Sequence, residues 1–400
     1  MTLAHSAAQF ITVSCSILAL GWLGQALAAF RGAPTLPDLT KAGAPVPDLS
    51  SNDGPDATVI VPACNEEGTI QATLRSLLAS TGVRLQIVAV NDRSTDRTGE
   101  RMDSVASEAA GGAHTLEVIH NGDLPAGWMG KMHALSLAVV RARAPWLLFT
   151  DGDVAFDPRA IALSLGYAIE EKADHVVLAL TLELKSIAEA AVFAAFQALS
   201  AWNIQLWKVA DPKARDFFGA GGFNLVRREV YEELGGAEAL RMQVVEDMRL
   251  AWNLKRAGYA QRVVLGPGLA RIHWIQGALG IVGLLEKNGF AGLGYSVGLS
   301  LLVFLGFAVD IVLPVAAILL GGWAMVAGLL AYLFILLTYA ANRRITQVSP
   351  CLAVLFAPAT AVLLFALVRS MVLTLKRGGV EWRGTRYPLE ELRRASVRGW

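Results

Sequence analysis

Asp151 and Asp153 flank Gly152 at the end of the apolar run Trp146-Leu-Leu-Phe149. A short apolar run of this kind fills a buried parallel strand. Two carboxylates one residue apart can share a hard divalent cation, and a glycine between them lets a ligand approach the backbone closely. In open α/β sheets the crevice beyond the strand C-termini is where ligands bind, and a metal held there neutralises a diphosphate. Asp-Gly-Asp is also ordinary turn chemistry, so the triplet gains meaning only from its company.

That company is spread along the chain. Val245-Glu246-Asp247 opens a helix bearing Met248, Leu250 and Trp252. Acidic residues are favoured at a helix N-terminus in any case; the functional reading of Asp247 is a general base. Gly127-Trp128-Met129-Gly130-Lys131 precedes a helix from about 132 to 143. A lysine at a glycine-flanked helix start suits a phosphate, and it is equally at home as a solvated surface lysine. Asp92 ends the strand Leu85-Gln-Ile-Val-Ala-Val90 in the run Asn91-Asp92-Arg93-Ser94-Thr95-Asp96, where it accepts hydrogen bonds from a nucleoside or serves as a turn or capping aspartate. Phe217-Phe-Gly-Ala-Gly221-Gly222-Phe223-Asn224, followed by Arg227 and Arg228, is a glycine-rich loop that permits close backbone approach.

These residues require an α/β frame. Thr58-Val-Ile-Val-Pro62 reads as a buried strand turning at Ala63-Cys64-Asn65-Glu66-Glu67. The helix after it carries Ile70, Leu74, Leu77 and Leu78 on one face. Leu116-Glu-Val-Ile119 is a third strand, Asp157-Pro158 opens another helix, and His175 to Leu184 reads as a further strand. Alternation of strand and helix implies a mostly parallel sheet with right-handed crossovers. No Gly-x-Gly-x-x-Gly follows the early strands, so a dinucleotide fingerprint is absent. Residues 186–209 read as one long helix whose aromatics, Phe193, Phe196, Trp202 and Trp207, belong either to core or to a membrane interface.

At 54% hydrophobic and 17% charged residues, with mean hydropathy +0.46, the chain is too apolar for an ordinary soluble protein. The excess collects at the two ends. Residues 8–30 carry no charge and suffice for an N-terminal transmembrane anchor, favoured over a signal peptide because a charged leader is missing. Prolines 34, 37, 45, 47 and 55 make 31–56 an extended linker. Residues 57–270 form the α/β domain and 271–289 an interfacial segment. Residues 290–375 hold transmembrane segments, with Asp310 the one charged residue from 290 to 341 and a break near Gly321-Gly322. An arginine-rich tail fills 376–400. Arg31 and Lys41 after the first span put the domain in the cytoplasm. One plus three crossings then strand the basic tail outside, against the same rule; either the last segment is a re-entrant hairpin or the count of spans is wrong. A net charge of +1 gives no reason to expect a nucleic-acid partner, and three scattered cysteines exclude a cysteine zinc site.

In order and spacing, Val61-Pro62 with Asn65-Glu66-Glu67, Asp92, Gly130-Lys131, Asp151-Gly-Asp153, Gly221-Gly222 and Glu246-Asp247 resemble the family 2 glycosyltransferases with the GT-A fold. The N-terminal anchor, the C-terminal apolar segments and Glu381-Trp-Arg-Gly-Thr-Arg-Tyr387 look like the membrane-bound, lipid-glycosylating branch. The chain is most similar to hopene-associated glycosyltransferases, and next to the carotenoid and ceramide enzymes. This resemblance implies a UDP-sugar donor held by Pro62, Asn65, Glu66, Asp92, Lys131 and Asp151. It implies Mg²⁺ or Mn²⁺ on Asp151 and Asp153, Asp247 as base, and inverting transfer of a single sugar to a membrane lipid at the inner face of the cell membrane. Gly221, Gly222, Glu246 and Trp274 are candidates for the acceptor side. Many processive members carry Gln-x-x-Arg-Trp after the base; here Arg271-Ile-His-Trp274 stands without it, which favours single transfer. The alternatives are a polyprenyl-phosphate sugar transferase, a processive polysaccharide synthase, or a membrane transport or lipid-binding protein, the last suggested by Asp310 and Arg369 within apolar segments.

Overall fold

A computed structural model describes residues 2–41, 54–277 and 279–396. The α/β domain starts with β1 (Ala57–Ala63), α2 (Ile70–Leu78), β2 (Leu85–Asp92), α3 (Thr98–Glu108), β3 (Thr115–Asn121), α4 (Gly130–Val139) and β4 (Trp146–Phe149), preceded by helix α1 (Thr2–Gly32). It continues through β5 (Ala155–Phe156), α5 (Ala160–Glu170), β6 (His175–Ala179), β7 (Thr181–Leu182), α6 (Ile187–Ser200), β8 (Asn224–Arg227), α7 (Arg228–Glu233), α8 (Glu246–Ala257), β9 (Gln261–Leu265) and β10 (Ala270–Ile272). The C-terminal part comprises α9 (Gly280–Gly292), α10 (Val297–Leu320), α11 (Gly322–Thr346), α12 (Phe356–Arg377), a hairpin of β11 (Gly379–Trp382) and β12 (Thr385–Pro388), and α13 (Leu389–Ala395).

Seven strands form the main sheet in the order β3-β2-β1-β4-β8-β6-β9. All its pairings are parallel except those of β8, which runs antiparallel to both neighbours. Alternate residues of the central strands feed two cores. Val59, Val61, Ile87, Ala89 and Leu148 pack on one face; Ile60, Val88, Val90, Leu147 and Phe149 pack on the other. Burial on both faces explains why these strands read as continuous apolar runs. Order reverses at β1/β4, so the loops after β1, β2 and β4 share one crevice at the strand C-termini.

Two expected elements are shorter than their sequence pattern. The helix from 187 stops at Ser200, because the indole of Trp202 lies against Gly21 of α1 and Trp207 against Gly32, sites where a side chain on the glycine would collide. Tertiary packing overrides a helical apolar pattern here. The strand from His175 splits into β6 and β7, which join different sheets. Of the proline-rich 31–56, residues 42–53 lie outside the described residues, as do 397–400 of the basic tail. The part before 42 is docked rather than free: Leu39 donates to Leu265 and Leu265 to Pro37 (2.8 and 2.7 Å).

Among the described residues four helices, within Ser6–Thr35, Val297–Leu320, Gly322–Thr346 and Pro350–Arg377, are long and apolar enough to cross a membrane. Helix α1 packs on α10 and α11 through Cys15, Ala19, Ala317, Ala324, Ala327 and Ala331, small residues that let helix backbones approach. The last segment behaves differently. Before it, Gln347 donates to Thr181 of β7 (3.4 Å); after it, the β11–β12 hairpin docks on the α/β domain. Along its length α12 packs beside α6 and α9.

Candidate active site

Strand ends and helix starts bring the polar residues together. Asp151 follows β4, Lys131 is the second residue of α4, and Glu246 and Asp247 open α8. The Lys131 ammonium lies 2.6 Å from Asp151 Oδ1 and 2.6 Å from Glu246 Oε1. Burial alone would lower the lysine's pKa, but the two carboxylates outweigh it and raise it. Asp151 is held below the usual carboxylate range, Lys131 overcoming the opposing effect of burial.

Asp247 accepts a hydrogen bond from the backbone N–H of Met248 at 2.7 Å. Burial and the adjacent Glu246 push its pKa up to about 7, with Lys131 opposing. A carboxylate so placed is suited to taking a proton near neutrality. The glycine-rich loop closes over it. A Cβ on Gly219 would stand 2.1 Å from the Asp247 carbonyl oxygen, and one on Gly221 2.8 Å from Asp151 Oδ2 and 3.3 Å from Lys131 Nζ. The loop is pinned by Thr150, whose hydroxyl donates to the Gly222 carbonyl at 2.8 Å.

Asp153 sits beside this cluster with a buried Oδ1 that has no hydrogen-bond partner. Burial, Asp151 and Glu66 together push its pKa up to about 7. An orphaned carboxylate oxygen next to a second carboxylate is the donor set a divalent cation relieves. No group of three or more ligating side chains stands ready among the described residues. Mg²⁺-like ions, however, are held by one or two carboxylates, with substrate phosphates and waters completing the shell. The residues present therefore fit such an ion.

Of the residues expected to hold a nucleoside, Pro62 lies near the end of β1. Asn65, at φ +56, accepts from the Thr95 N–H at 2.8 Å and joins the loops after β1 and β2. The buried Asp92 is gripped by Arg93 at 3.0 and 2.9 Å and by Asn121 at 2.8 Å. Glu66 pairs at 2.6 Å with Arg383. Trp274 is set apart: it packs on Phe196 of α6, ring centroids 5.7 Å apart, between the domain and the apolar helices.

Arg93, Asn121, Lys287, Arg383 and Tyr387 also reach the site. Arg383 Nη1 donates to the Cys64 carbonyl at 2.6 Å. Arg93 donates to Thr385 at 3.2 Å, and the Gly130 N–H to the Tyr387 hydroxyl at 3.1 Å. The hairpin thus touches the loops after β1, β2 and β3. Its one sequence signal was the Glu381–Tyr387 stretch, which includes the Trp382-Arg383 pair.

Comparison with known proteins bears on this geometry. Residues 58–235 match the family model Glycosyl transferase family 2. Probable glycosyltransferase YdaM of Bacillus subtilis (strain 168) is 28% identical over 216 residues, 51% of this chain and 48% of that protein. The chain thus spans about half the length of this curated relative. Among solved structures, mannosyltransferase PcManGT from Pyrobaculum calidifontis, in complex with GDP-Man and Mn²⁺, superposes with a TM-score of 0.52 at 18% identity, covering 91% of this chain and 99% of that one. S. aureus TarS is more distant, with a TM-score of 0.39 at 15% identity over 58% of this chain and 38% of that one. Residues 58–235 are thus similar to glycosyltransferase family 2 domains, and the fold is GT-A-like, with a mostly parallel sheet.

Proposed function

We propose that the protein transfers a single sugar, with inversion, from a UDP-sugar to the hydroxyl of a membrane lipid of hopanoid, carotenoid or ceramide type. The observation that carries this reading is Lys131, which bridges Asp151 on the donor side and Glu246, neighbour of the base, at 2.6 Å each. Donor phosphates and acceptor hydroxyl then fall on two sides of one cation.

The acceptor oxygen attacks the anomeric carbon, the bond from that carbon to the diphosphate oxygen breaks, and Asp247 takes the hydroxyl proton. Asp151 and Asp153 would hold a divalent cation, which when bound neutralises the departing diphosphate. A structural relative solved with GDP-Man and Mn²⁺ supports metal use and leaves guanine as the other base to test. Pro62, Asn65, Glu66 and Asp92 are assigned to the nucleoside side, with Gly221, Gly222 and Glu246 toward the acceptor. Trp274 is a candidate only for the lipid's path, given its place among the apolar helices. Those helices support an inner-membrane location with the domain facing the cytoplasm.

The test uses membranes containing the protein, radiolabelled UDP-glucose and Mn²⁺ or Mg²⁺, with extraction of the lipids. Label in lipid is expected, and it disappears with Asp247→Ala or EDTA. Failure with every nucleotide sugar and lipid tried, in protein that still binds nucleotide, overturns the reading.

A further inference from the structure

The β11–β12 hairpin lies outside the matched span 58–235, yet its tip enters the cleft. Arg383 and Gly384 form its two-residue loop, both with positive φ (+49 and +75). Such a loop favours Asn or Gly at its first position; an arginine there is held in a region that non-glycine residues rarely occupy. The strain places a guanidinium 2.6 Å from Glu66 Oε1, facing Asp151 across the crevice.

A second cation stands beside it. Lys287 of α9 lies 3.9 Å from the centroid of the Trp382 ring. Among the described residues no carboxylate comes within ion-pair distance of it, although Glu246 and Asp151 lie in its surroundings. Burial pushes its pKa down to about 8, the more distant Glu246 and Asp151 offsetting this only in part. The cleft therefore has two cationic walls. Lys131 is saturated by Asp151 and Glu246; Lys287 makes no direct ion pair among the described residues, and Arg383 has one carboxylate supplied by a loop.

We propose that Arg383 and Lys287, brought in by the C-terminal hairpin and α9, bind the diphosphate of the sugar nucleotide, with Glu66 the partner Arg383 gives up when the donor enters. A guanidinium fork matches two phosphate oxygens and the lysine adds a point charge. The hairpin is thereby a donor clamp: Tyr387 on Gly130, Thr385 on Arg93 and Arg383 on Cys64 fix it to three loops of the cleft. This inference rests on the nucleotide-sugar reading above and names the residues that grip the donor's charge.

The test is calorimetric titration of the full-length protein in detergent with UDP and UMP, and with GDP and GMP, in the presence of Mn²⁺. For whichever base binds, Arg383→Gln is expected to weaken the diphosphate at least about tenfold while leaving the monophosphate within about twofold. Lys287→Met has the same selectivity, and Arg383→Lys recovers part of the loss. Unchanged diphosphate affinity in Arg383→Gln and Lys287→Met overturns the proposal alone. So does an equal loss for mono- and diphosphate, which would make the hairpin a structural clasp. Wild-type protein that binds neither UDP nor GDP overturns the donor reading and this proposal together.

Discussion

The ammonium of Lys131 lies 2.6 Å from the carboxylate of Glu246, the first residue of α8. One side chain thereby ties the start of α4 to the start of α8 and sets the field felt by Asp247. Removing it with Lys131→Met leaves Asp151, Glu246 and Asp247 without the shared cation. We expect kcat/KM to fall at least about a hundredfold, the scale of losing a positioned acid–base group. Because Lys131 opposes the upward shift of Asp247, the acid limb of the residual activity should move to higher pH. An unchanged limb would show that Lys131 acts only on the donor.

For the wild type, the sign of the pH dependence follows from Asp247. Its pKa is raised to about 7 by burial and by Glu246, and a base works only when deprotonated. Activity is therefore present above that value and lost as pH falls through it, about tenfold per unit once the carboxyl is mainly protonated. Asp247→Asn should remove activity while leaving nucleotide affinity within about threefold, as expected of a base that acts on the acceptor. A pH profile flat from 5 to 8 would count against Asp247 as the base.

Asp153 supplies a separate test. Its buried Oδ1 has no hydrogen-bond partner, and we expect it to bind Mn²⁺ or Mg²⁺ only with nucleotide present. Asp153→Asn should abolish the part of UDP affinity that depends on metal and leave the metal-free affinity nearly unchanged. Titrations with and without EDTA separate the two. Equal loss in both conditions would assign Asp153 to the fold rather than to the ion.

How much of this was legible depended on sequence distance. Asp151-Gly-Asp153 could be placed because an apolar run and its terminus are local signals. The same holds for Asp247 at a helix start and for the break at Gly321 between two apolar helices. The alternation of strands gave the α/β sheet, but not the antiparallel β8, since Asn224-Leu-Val-Arg227 sets only two apolar residues between polar ones and follows directly on a glycine-rich loop. Arg383 was not legible as part of the site: it meets Glu66 across 317 positions, and Tyr387 meets Gly130 across 257. The end of α6 at Ser200 is set by the fit of Trp202 on Gly21, a tertiary contact that no helical periodicity encodes. Asp92 illustrates the reverse case: Arg93, adjacent in sequence, saturates it, and the dipeptide gave no warning.

Asp310 and Trp22 make a prediction for the apolar bundle. Trp22 Nε1 donates to Asp310 Oδ1 at 2.9 Å, and the fully buried indole also meets Trp202 and Phe356 edge-on at 5.4 Å each. Trp22→Phe retains an aromatic ring but leaves the carboxyl without its donor, at a cost of about 1–3 kcal/mol. Adding Asp310→Leu removes the stranded group as well. The double variant should therefore unfold at a higher temperature in detergent than Trp22→Phe alone. If the second substitution lowers the midpoint further, Asp310 has a role beyond satisfying Trp22.

Among the described residues four helices are long and apolar enough to cross a membrane, and the packing fits three crossings better than four. Helix α12, at 22 residues about 33 Å long, has the length to span. Yet both of its ends lie at the α/β domain, through Gln347 on Thr181 and through the hairpin. Glu286 of α9 fixes it laterally, pairing at 2.9 Å with both Arg369 and Arg377. Charges so paired suit a helix lying in the interface better than one crossing hydrocarbon. With α1, α10 and α11 as the three crossings, the arginine-rich end returns to the domain's side and the positive-inside rule is satisfied. Single cysteines introduced in a cysteine-free background at Gln347 and Arg394 should react only with reagent supplied to the domain's side, and one at Trp323 only from the opposite side. Labelling of Arg394→Cys from the side of Trp323→Cys would show that α12 crosses and would sink the three-span arrangement.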